Sequence, residues 1–361
     1  MSTAGRRVPS PDFWGGRRVL LTGHTGFKGS WLTAWLELLG ADVLGLSLPG
    51  RETEPNLRDE LGAVAAAELE GDLAEPGWED RVLDFGPEVV LHLAAQALVP
   101  VGYAEPLRTF ATNVLGTARL LDVLGRCPSV TAAVMVTTDK VYDTRQPLPF
   151  AEEAFLGGAD PYSASKAAME LVVSSWPELP FAMATARAGN VIGGGDWSAD
   201  RLLPGLIEAW TAGQVQVLRR PTAVRPWQHV LEPLRGYLLL AEGLARGEAL
   251  PRSLNLGPDE SQCVPVADVV AFAAEHWADR REGSPGPEWT SHEVPPMKET
   301  ELLVLDSSLA RSAIGWANVL DWRTAVARTI DWHWAHAAGS SARELVGAEI
   351  SAYQQLITEG A

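Results

Sequence analysis

The turn Thr22-Gly23-His24-Thr25-Gly26-Phe27-Lys28-Gly29 constrains this chain more than any other segment. It follows a short apolar run at 17–21 that reads as a buried strand. It opens a stretch at 30–39 whose apolar residues recur at helical intervals, with Gly40 as the stop. Glycines spaced as GxxGxxG between a strand and a helix allow a tight turn, a close approach of backbone to pyrophosphate, and close packing of helix on sheet. The helix N-terminus then offers free amides and the positive end of its dipole to the phosphates. Glycine-rich turns are common, and the strand–turn–helix setting is what makes this one informative. It predicts a dinucleotide site on Gly23, Thr25, Gly26, Phe27, Lys28 and Gly29.

The same alternation continues. Strands are expected at 42–46, 88–93, 131–137, 181–187 and 252–256, and helices at 109–125, 162–175, 202–212, 265–278 and 322–336. Strands separated by helices of this size predict an α/β chain: a Rossmann-type parallel sheet covered on both faces, with a smaller C-terminal substrate-binding portion. The expected division is 17–190 for the cofactor, 191–336 mainly for substrate with segments returning to the first domain, and 337–361 as a peripheral C-terminal segment. Residues 1–16 read as an irregular leader, 193–196 as a flexible loop, and 280–296 as a long surface connection rich in Gly, Pro and charge.

Cofactor identity is less sharply written. Leu46-Ser47-Leu48, at the end of the second strand, offers no carboxylate for an adenosine ribose, and Arg51 stands where a 2′-phosphate could be met. Asp72, beside Leu73 after the third strand, is better placed for the adenine. These residues favour NAD over NADP, with the second left open.

The chemistry is concentrated in Thr137-Thr138-Asp139-Lys140 and Tyr162-Ser163-Ala164-Ser165-Lys166. Tyr162 and Lys166 are one helical turn apart and face the same way. A nearby ammonium and the cofactor charge would favour an ionised Tyr162, able to take a proton from a sugar hydroxyl while hydride leaves the same carbon. Thr138 would orient that hydroxyl. The plainer reading is an ordinary amphipathic helix beginning at Pro161. Asp139 and Lys140 exceed what hydride transfer alone requires: oxidation of a hexose at C4 acidifies the C5 proton, and one group could remove it while the other protonates a departing C6 hydroxyl. A simple salt bridge is the alternative.

Composition narrows the partners. A formal charge of -17 opposes general nucleic-acid binding, because most of the surface would repel a phosphate backbone. Arg219, Arg220 and Arg225 form the one local basic candidate for a phosphorylated ligand, unless they lie in a solvated loop. Cys127 and Cys263 are far apart in sequence, which favours a reducing compartment, and no uncharged apolar run approaches 18 residues; the cytoplasm without membrane attachment is expected. His333 and His336 sit among tryptophans without an acidic cluster, so no metal site is expected.

The motifs 22–29, His92-Leu93-Ala94-Ala95-Gln96, Thr138-Asp139-Lys140 and 162–166 together resemble the extended short-chain dehydrogenase/reductase family. The strings Gly26-Phe27-Lys28-Gly29-Ser30-Trp31-Leu32, Ala188-Gly189-Asn190-Val191-Ile192-Gly193-Gly194-Gly195-Asp196-Trp197 and Arg225-Pro226-Trp227-Gln228-His229-Val230 are similar to its CDP-glucose 4,6-dehydratases, over about residues 17–336. The resemblance implies NAD held through the cycle, a CDP-linked glucose substrate, a 4-keto-6-deoxy product and a homodimer through helices near 109–125 and 162–175. It implies Tyr162 as the base that starts oxidation with Lys166 and Thr138, and Asp139 and Lys140 as the elimination pair, their division of labour open. It further implies that Leu93, Ala94 and Ala95 contact cofactor and that Asn113 supports the active-site lysine through local backbone and water. Gln96, Asn190, Arg201, Arg219, Arg225 and His229 are implied on the substrate side, with Arg187 either there or stabilising a strand end.

The chain departs from the pattern at Leu98-Val99-Pro100-Val101-Gly102-Tyr103, where the family commonly has a basic, serine-containing segment. That leaves room for another nucleotide sugar. Two further readings therefore stand beside dehydration: a nucleotide-sugar epimerase or oxidoreductase, and a non-enzymatic dinucleotide-responsive binding protein.

Overall fold

A computed structural model describes residues 6–50, 55–62, 67–280, 287–291 and 302–360. Its strands are β1 (Arg18–Thr22), β2 (Asp42–Ser47), β3 (Ala67–Glu70), β4 (Val89–His92), β5 (Ala132–Val136), β6 (Ala182–Ala188), β7 (Asn190–Ile192), β8 (Gln216–Leu218), β9 (Val224–His229), β10 (Ser253–Leu256), β11 (Cys263–Pro265) and β12 (Trp289–Ser291). Seven form one sheet in the order β10-β6-β5-β4-β1-β2-β3, and every pairing in it is parallel. This is the Rossmann-type α/β architecture. The strand order reverses between β1 and β4, and in an open parallel sheet the crevice for ligands opens at that reversal, beyond the carboxyl ends of the strands.

Short apolar runs become central strands here because both faces are covered. Successive side chains on β1 point to opposite sides: Val19 and Leu21 join a core containing Trp31, Trp35, Val134 and Ala186, and Leu20 joins another containing Val90, Leu120, Met135 and Met169. The first core includes helix Leu231–Ala245, which sequence reading missed. That helix is buried around most of its circumference, and even the charged residues recurring on one side of it, Glu232, Arg235 and Glu242, are inside the fold. Its Glu232 accepts a hydrogen bond from Tyr353 Oη at 2.7 Å and from the amides of Val319 and Leu320. The first of these ties it to the C-terminal helix Ala342–Glu359, whose Val346, Ile350, Tyr353 and Ile357 lie in the same core.

Three local expectations change. Residues 11–14 of the expected leader form a helical turn, with Trp14 fully buried and its indole donating to Glu242 at 2.8 Å. The helix expected over 109–125 starts at Pro106 and contains a wider turn at Ala111–Leu115 around Asn113. The 193–196 loop is buried rather than free at the surface, and the Trp31 indole donates to the Gly194 carbonyl at 2.9 Å. Of the 280–296 connection, 281–286 and 292–296 lie outside the described residues, as does Arg51, while Trp289–Ser291 pairs with β8. Beyond residue 190, β7, β9 and β11 form a separate three-stranded sheet, and β10 returns to the edge of the large one. Among the described residues no helix is long and apolar enough to cross a membrane.

Candidate active site

A cavity of about 1200 Å³ occupies the switch-point crevice and runs from the glycine turn to β8 and β9. At one end it is lined by Gly23, Thr25, Gly26, Phe27, Lys28 and Gly29, by 46–50, and by Asp72 and Leu73. The turn fits a dinucleotide. Gly23 has φ +73, and a Cβ there would sit 2.7 Å from the Ala94 amide, so the loops after β1 and β4 touch through it. At Gly29 a Cβ would lie 2.0 Å from the Gly23 carbonyl oxygen. Helix Phe27–Leu38 begins at Gly26 with no side-chain cap and no acid in its first turn, which leaves its first amides open to an anion. Asp72 Oδ1 accepts from the Ala74 amide at 2.9 Å. Behind the turn, His92 lies 2.6 Å from Thr22 Oγ1 and 3.0 Å from Thr117 Oγ1, and Thr22 Oγ1 accepts from the Ala94 amide. Burial pushes the His92 imidazole down to about 3, so this brace stays neutral.

Leu93, Ala94, Ala95 and Gln96 line the middle of the cavity. Gln96 is committed to structure: its Nε2 donates to Thr109 Oγ1 at 2.8 Å, and its Oε1 accepts from the Leu98 amide. Asn113 is not on the cavity wall. Its Oδ1 accepts from the Gln96 amide, and its Nδ2 donates to the Gln96 carbonyl and to Ser165 Oγ at 2.8 Å. It therefore clamps the loop after β4 onto helix Pro161–Ser175. The unusual 98–103 segment forms the short helix Val99–Ala104. Gly102 lies so close to the Tyr162 backbone that a Cβ would be 3.2 Å from its amide nitrogen, while Leu98, Val99 and Pro100 put apolar atoms on the cavity wall.

Thr138, Asp139, Lys140, Tyr162 and Lys166 converge on the same cavity from the end of β5 and the first turns of helix Pro161–Ser175. Asp160 caps that helix by accepting from the Ser163 amide, with Pro161 in its first turn. Thr138 Oγ1 donates to Asp139 Oδ1 at 3.0 Å, and Lys140 Nζ stands 4.0 Å from the same oxygen. Asp139 is buried, and its Oδ2 has no hydrogen-bond partner. Lys166 Nζ donates to the Val136 carbonyl at 2.9 Å.

The electrostatics depart from the expectation of an ionised Tyr162. Burial pushes its phenol up to about 12, against the opposing pull of a hydrogen bond with Thr138 and of Arg201. Burial, with the charge of Lys28, pulls Lys166 down to about 7; burial, with Arg201, pulls Lys28 down to about 8. The Lys28 and Lys166 ammonium groups are thus held close to their point of deprotonation. One consequence is measurable as stability. The Lys166 value lies below that of the unfolded chain, so the unfolded state binds the extra proton, and stability from this group rises with pH between about 7 and about 10. Lys166→Met should raise the stability of the ligand-free protein by on the order of a few kcal/mol near neutral pH, with the gain fading toward pH ~10. Thermal unfolding at several pH values checks this; a variant less stable than wild type at neutral pH would contradict it.

On the other side of the cavity, Asn190, Arg201, Arg219 and Arg225 line the wall. Arg219 is ion-paired with Asp200 at 3.4 Å, and Arg225 is buried with Nη1 donating to the Val224 carbonyl. His229 does not line it. Its ring is buried edge-on to Trp31 and it faces the Leu231 amide, so it is a packing residue. Arg187 also belongs to the interior, where it pairs with Glu170 at 2.9 Å. Asn56, unassigned from sequence, lines the cavity and donates to the Thr25 carbonyl at 3.1 Å; its only sequence signal is its place as an N-cap.

The model of the NAD-dependent epimerase/dehydratase family matches residues 19–257. The chain belongs to that family. NAD is accordingly its cofactor. The chain is 36% identical over 362 residues to a CDP-glucose 4,6-dehydratase of Salmonella typhimurium, covering 96% of this chain and 99% of that protein. It is 25% identical to a dTDP-glucose 4,6-dehydratase of Xanthomonas campestris, covering 87% and 92%. Among solved structures, that of MoeE5 in complex with UDP-glucose and NAD superimposes with a TM-score of 0.73 at 25% identity, covering 89% of this chain and 99% of that one.

Proposed function

We propose that this chain converts CDP-glucose to CDP-4-keto-6-deoxy-glucose and water. The likeness to the two dehydratases named above supports nucleotide-sugar 4,6-dehydration. One observation carries the reading: a buried carboxylate with an uncommitted oxygen, Asp139, stands beside Lys140 in the cavity that also holds Tyr162 and Lys166. Oxidation and reduction of an alcohol do not require that pair. Elimination does.

Bound NAD supplies the hydride acceptor at C4, the positive ring charge that favours the Tyr162 phenolate, and the hydride returned to C6. Tyr162 takes the proton of the C4 hydroxyl, with Thr138 holding that oxygen. The resulting carbonyl acidifies C5–H. With a proton passed from the Lys140 ammonium to the Asp139 carboxylate, neutral Lys140 removes the C5 proton as protonated Asp139 gives its proton to the departing C6 oxygen; water leaves across C5–C6, and Lys140 returns the proton to C5 as hydride arrives at C6. Arg201, Arg219 and Arg225 meet the diphosphate, for which the guanidinium fork is suited. In this reading 17–190 serve mainly the cofactor and 191–336 mainly the sugar nucleotide.

The test uses CDP-glucose carrying deuterium at C4, incubated with the NAD-loaded protein. Loss of one water with deuterium transferred to C6 is expected. Return of deuterium to C4 with inverted configuration would identify an epimerase instead, and recovery of unchanged nucleotide sugar would overturn the reading.

A homodimer is part of the proposal. Leu107, Phe110, Leu115 and Leu171 are exposed on the helices spanning 106–125 and 161–175, with Leu107 86% accessible, an apolar surface of the kind that marks an interaction site. Leu107→Glu with Leu171→Glu should shift the sedimenting species from dimer to monomer; a wild-type chain that sediments as a monomer would refute it. A cytoplasmic location accords with the two free cysteines, and fractionation of the tagged protein tests it.

A further inference from the structure

The two catalytic segments are 22 or more residues apart in sequence and belong to different elements, yet Thr138 and Tyr162 must be held in register for one hydrogen bond. A buried network directly behind them performs this task. Glu170 lies one helical turn beyond Lys166, on the same helix. Its Oε1 accepts from Thr137 Oγ1 at 2.5 Å and from Arg187 Nε at 2.9 Å; its Oε2 accepts from Thr185 Oγ1 at 2.7 Å and from Arg187 Nη2 at 2.9 Å. Arg187 is held in turn by Tyr142 Oη at 2.7 Å, and its guanidinium lies 5.0 Å from that ring. One carboxylate thus joins helix Pro161–Ser175 to the end of β5 and to β6. A buried carboxylate is normally a liability, tolerated where its oxygens are fully bonded and its charge is paired. Here both conditions are met, and one of the four bonds goes to the residue immediately before Thr138.

We propose that Glu170 is a positioning residue for the oxidation step, acting through Thr137 to set the Thr138 hydroxyl against Tyr162. This rests on the reading of Tyr162 and Thr138 as the groups that act on the sugar hydroxyl. The Thr137–Glu170 bond fixes the peptide that carries Thr138, and the Arg187 pair fixes the Glu170 rotamer. The network lies outside the cavity wall apart from Thr137, so it serves orientation rather than substrate contact.

Glu170→Gln would leave Arg187 buried without its counter-charge and risks unfolding. The decisive variant is Thr137→Val, which keeps the β-branched shape and removes only the hydroxyl that reaches Glu170. In the NAD-loaded enzyme, kcat should fall about tenfold while KM for the nucleotide sugar stays within about twofold, as expected when reacting groups are misaligned without loss of binding. Thr137→Ser should restore kcat to within about twofold of wild type. A folded Thr137→Val with wild-type kcat overturns the proposal, as does a Ser variant no better than Val. The substrate reading is tested separately, because the three proteins are compared on whichever nucleotide sugar the wild type turns over. Turnover of a different sugar would refute CDP-glucose and leave the comparison decisive.

Discussion

Tyr162→Phe should leave a folded, NAD-binding protein whose turnover is lower by about 10³-fold. The ring contributes to packing at a buried position and is retained; only the hydroxyl is lost. Thr138 keeps its bond to Asp139, so the active-site wall has no other reason to move. What disappears is the one group placed to take the C4 hydroxyl proton. Because burial pushes this phenol up to about 12, its base form depends on positive charge nearby, and the oxidation rate should rise with pH in the wild type. In the variant both the rate and that pH dependence should collapse. Single-turnover formation of reduced nicotinamide measures this, and a Phe variant retaining more than about a tenth of the wild-type rate would remove Tyr162 from the role of base.

The second large effect separates elimination from oxidation. Asp139→Asn preserves shape and the acceptor for Thr138 but cannot donate a carboxylic proton to the departing C6 oxygen. Overall dehydration should fall by about 10²–10³-fold, whereas the first reduction of nicotinamide should remain within about tenfold of wild type. Reduced nicotinamide should therefore accumulate in the variant when substrate is added. If Asp139 were only a salt-bridge partner of Lys140, the oxidation and dehydration rates would fall together. If the protein were an epimerase, product formation would survive the change. The uncommitted Oδ2 of this buried side chain, with Lys140 Nζ 4.0 Å from its other oxygen, is why the elimination step is placed here.

Several elements were legible before any fold was known because their signals are local. The glycine turn and the Tyr162–Lys166 spacing each lie within one turn or loop, and each occupies the cavity in the structure. Others misled because their meaning depends on distant neighbours. His229 has a polar side chain suited to a ligand, but Trp31 covers it. Arg187, for which the sequence also allowed a strand-end role, has that role: it pairs with Glu170, 17 residues earlier. Helix Leu231–Ala245 was missed although Glu232, Arg235 and Glu242 recur on one face; that face meets Tyr353 and Trp14 inside the fold rather than solvent. The 193–196 glycines suggested mobility, yet the indole of Trp31, 163 residues away, bonds into that loop.

By itself the sequence determined the parallel α/β layout and the dinucleotide turn, and it named a set of candidate reactive side chains, because periodicity, glycine spacing and helical offsets are properties of neighbouring residues. Only the tertiary structure decided which polar groups face the cavity and which brace it, and how strongly Tyr162 and Lys166 hold their protons. Those depend on burial and on partners such as Val136 for Lys166, 30 residues apart, or Glu170 for Thr137, 33 apart, which come together only when the sheet closes over its helices.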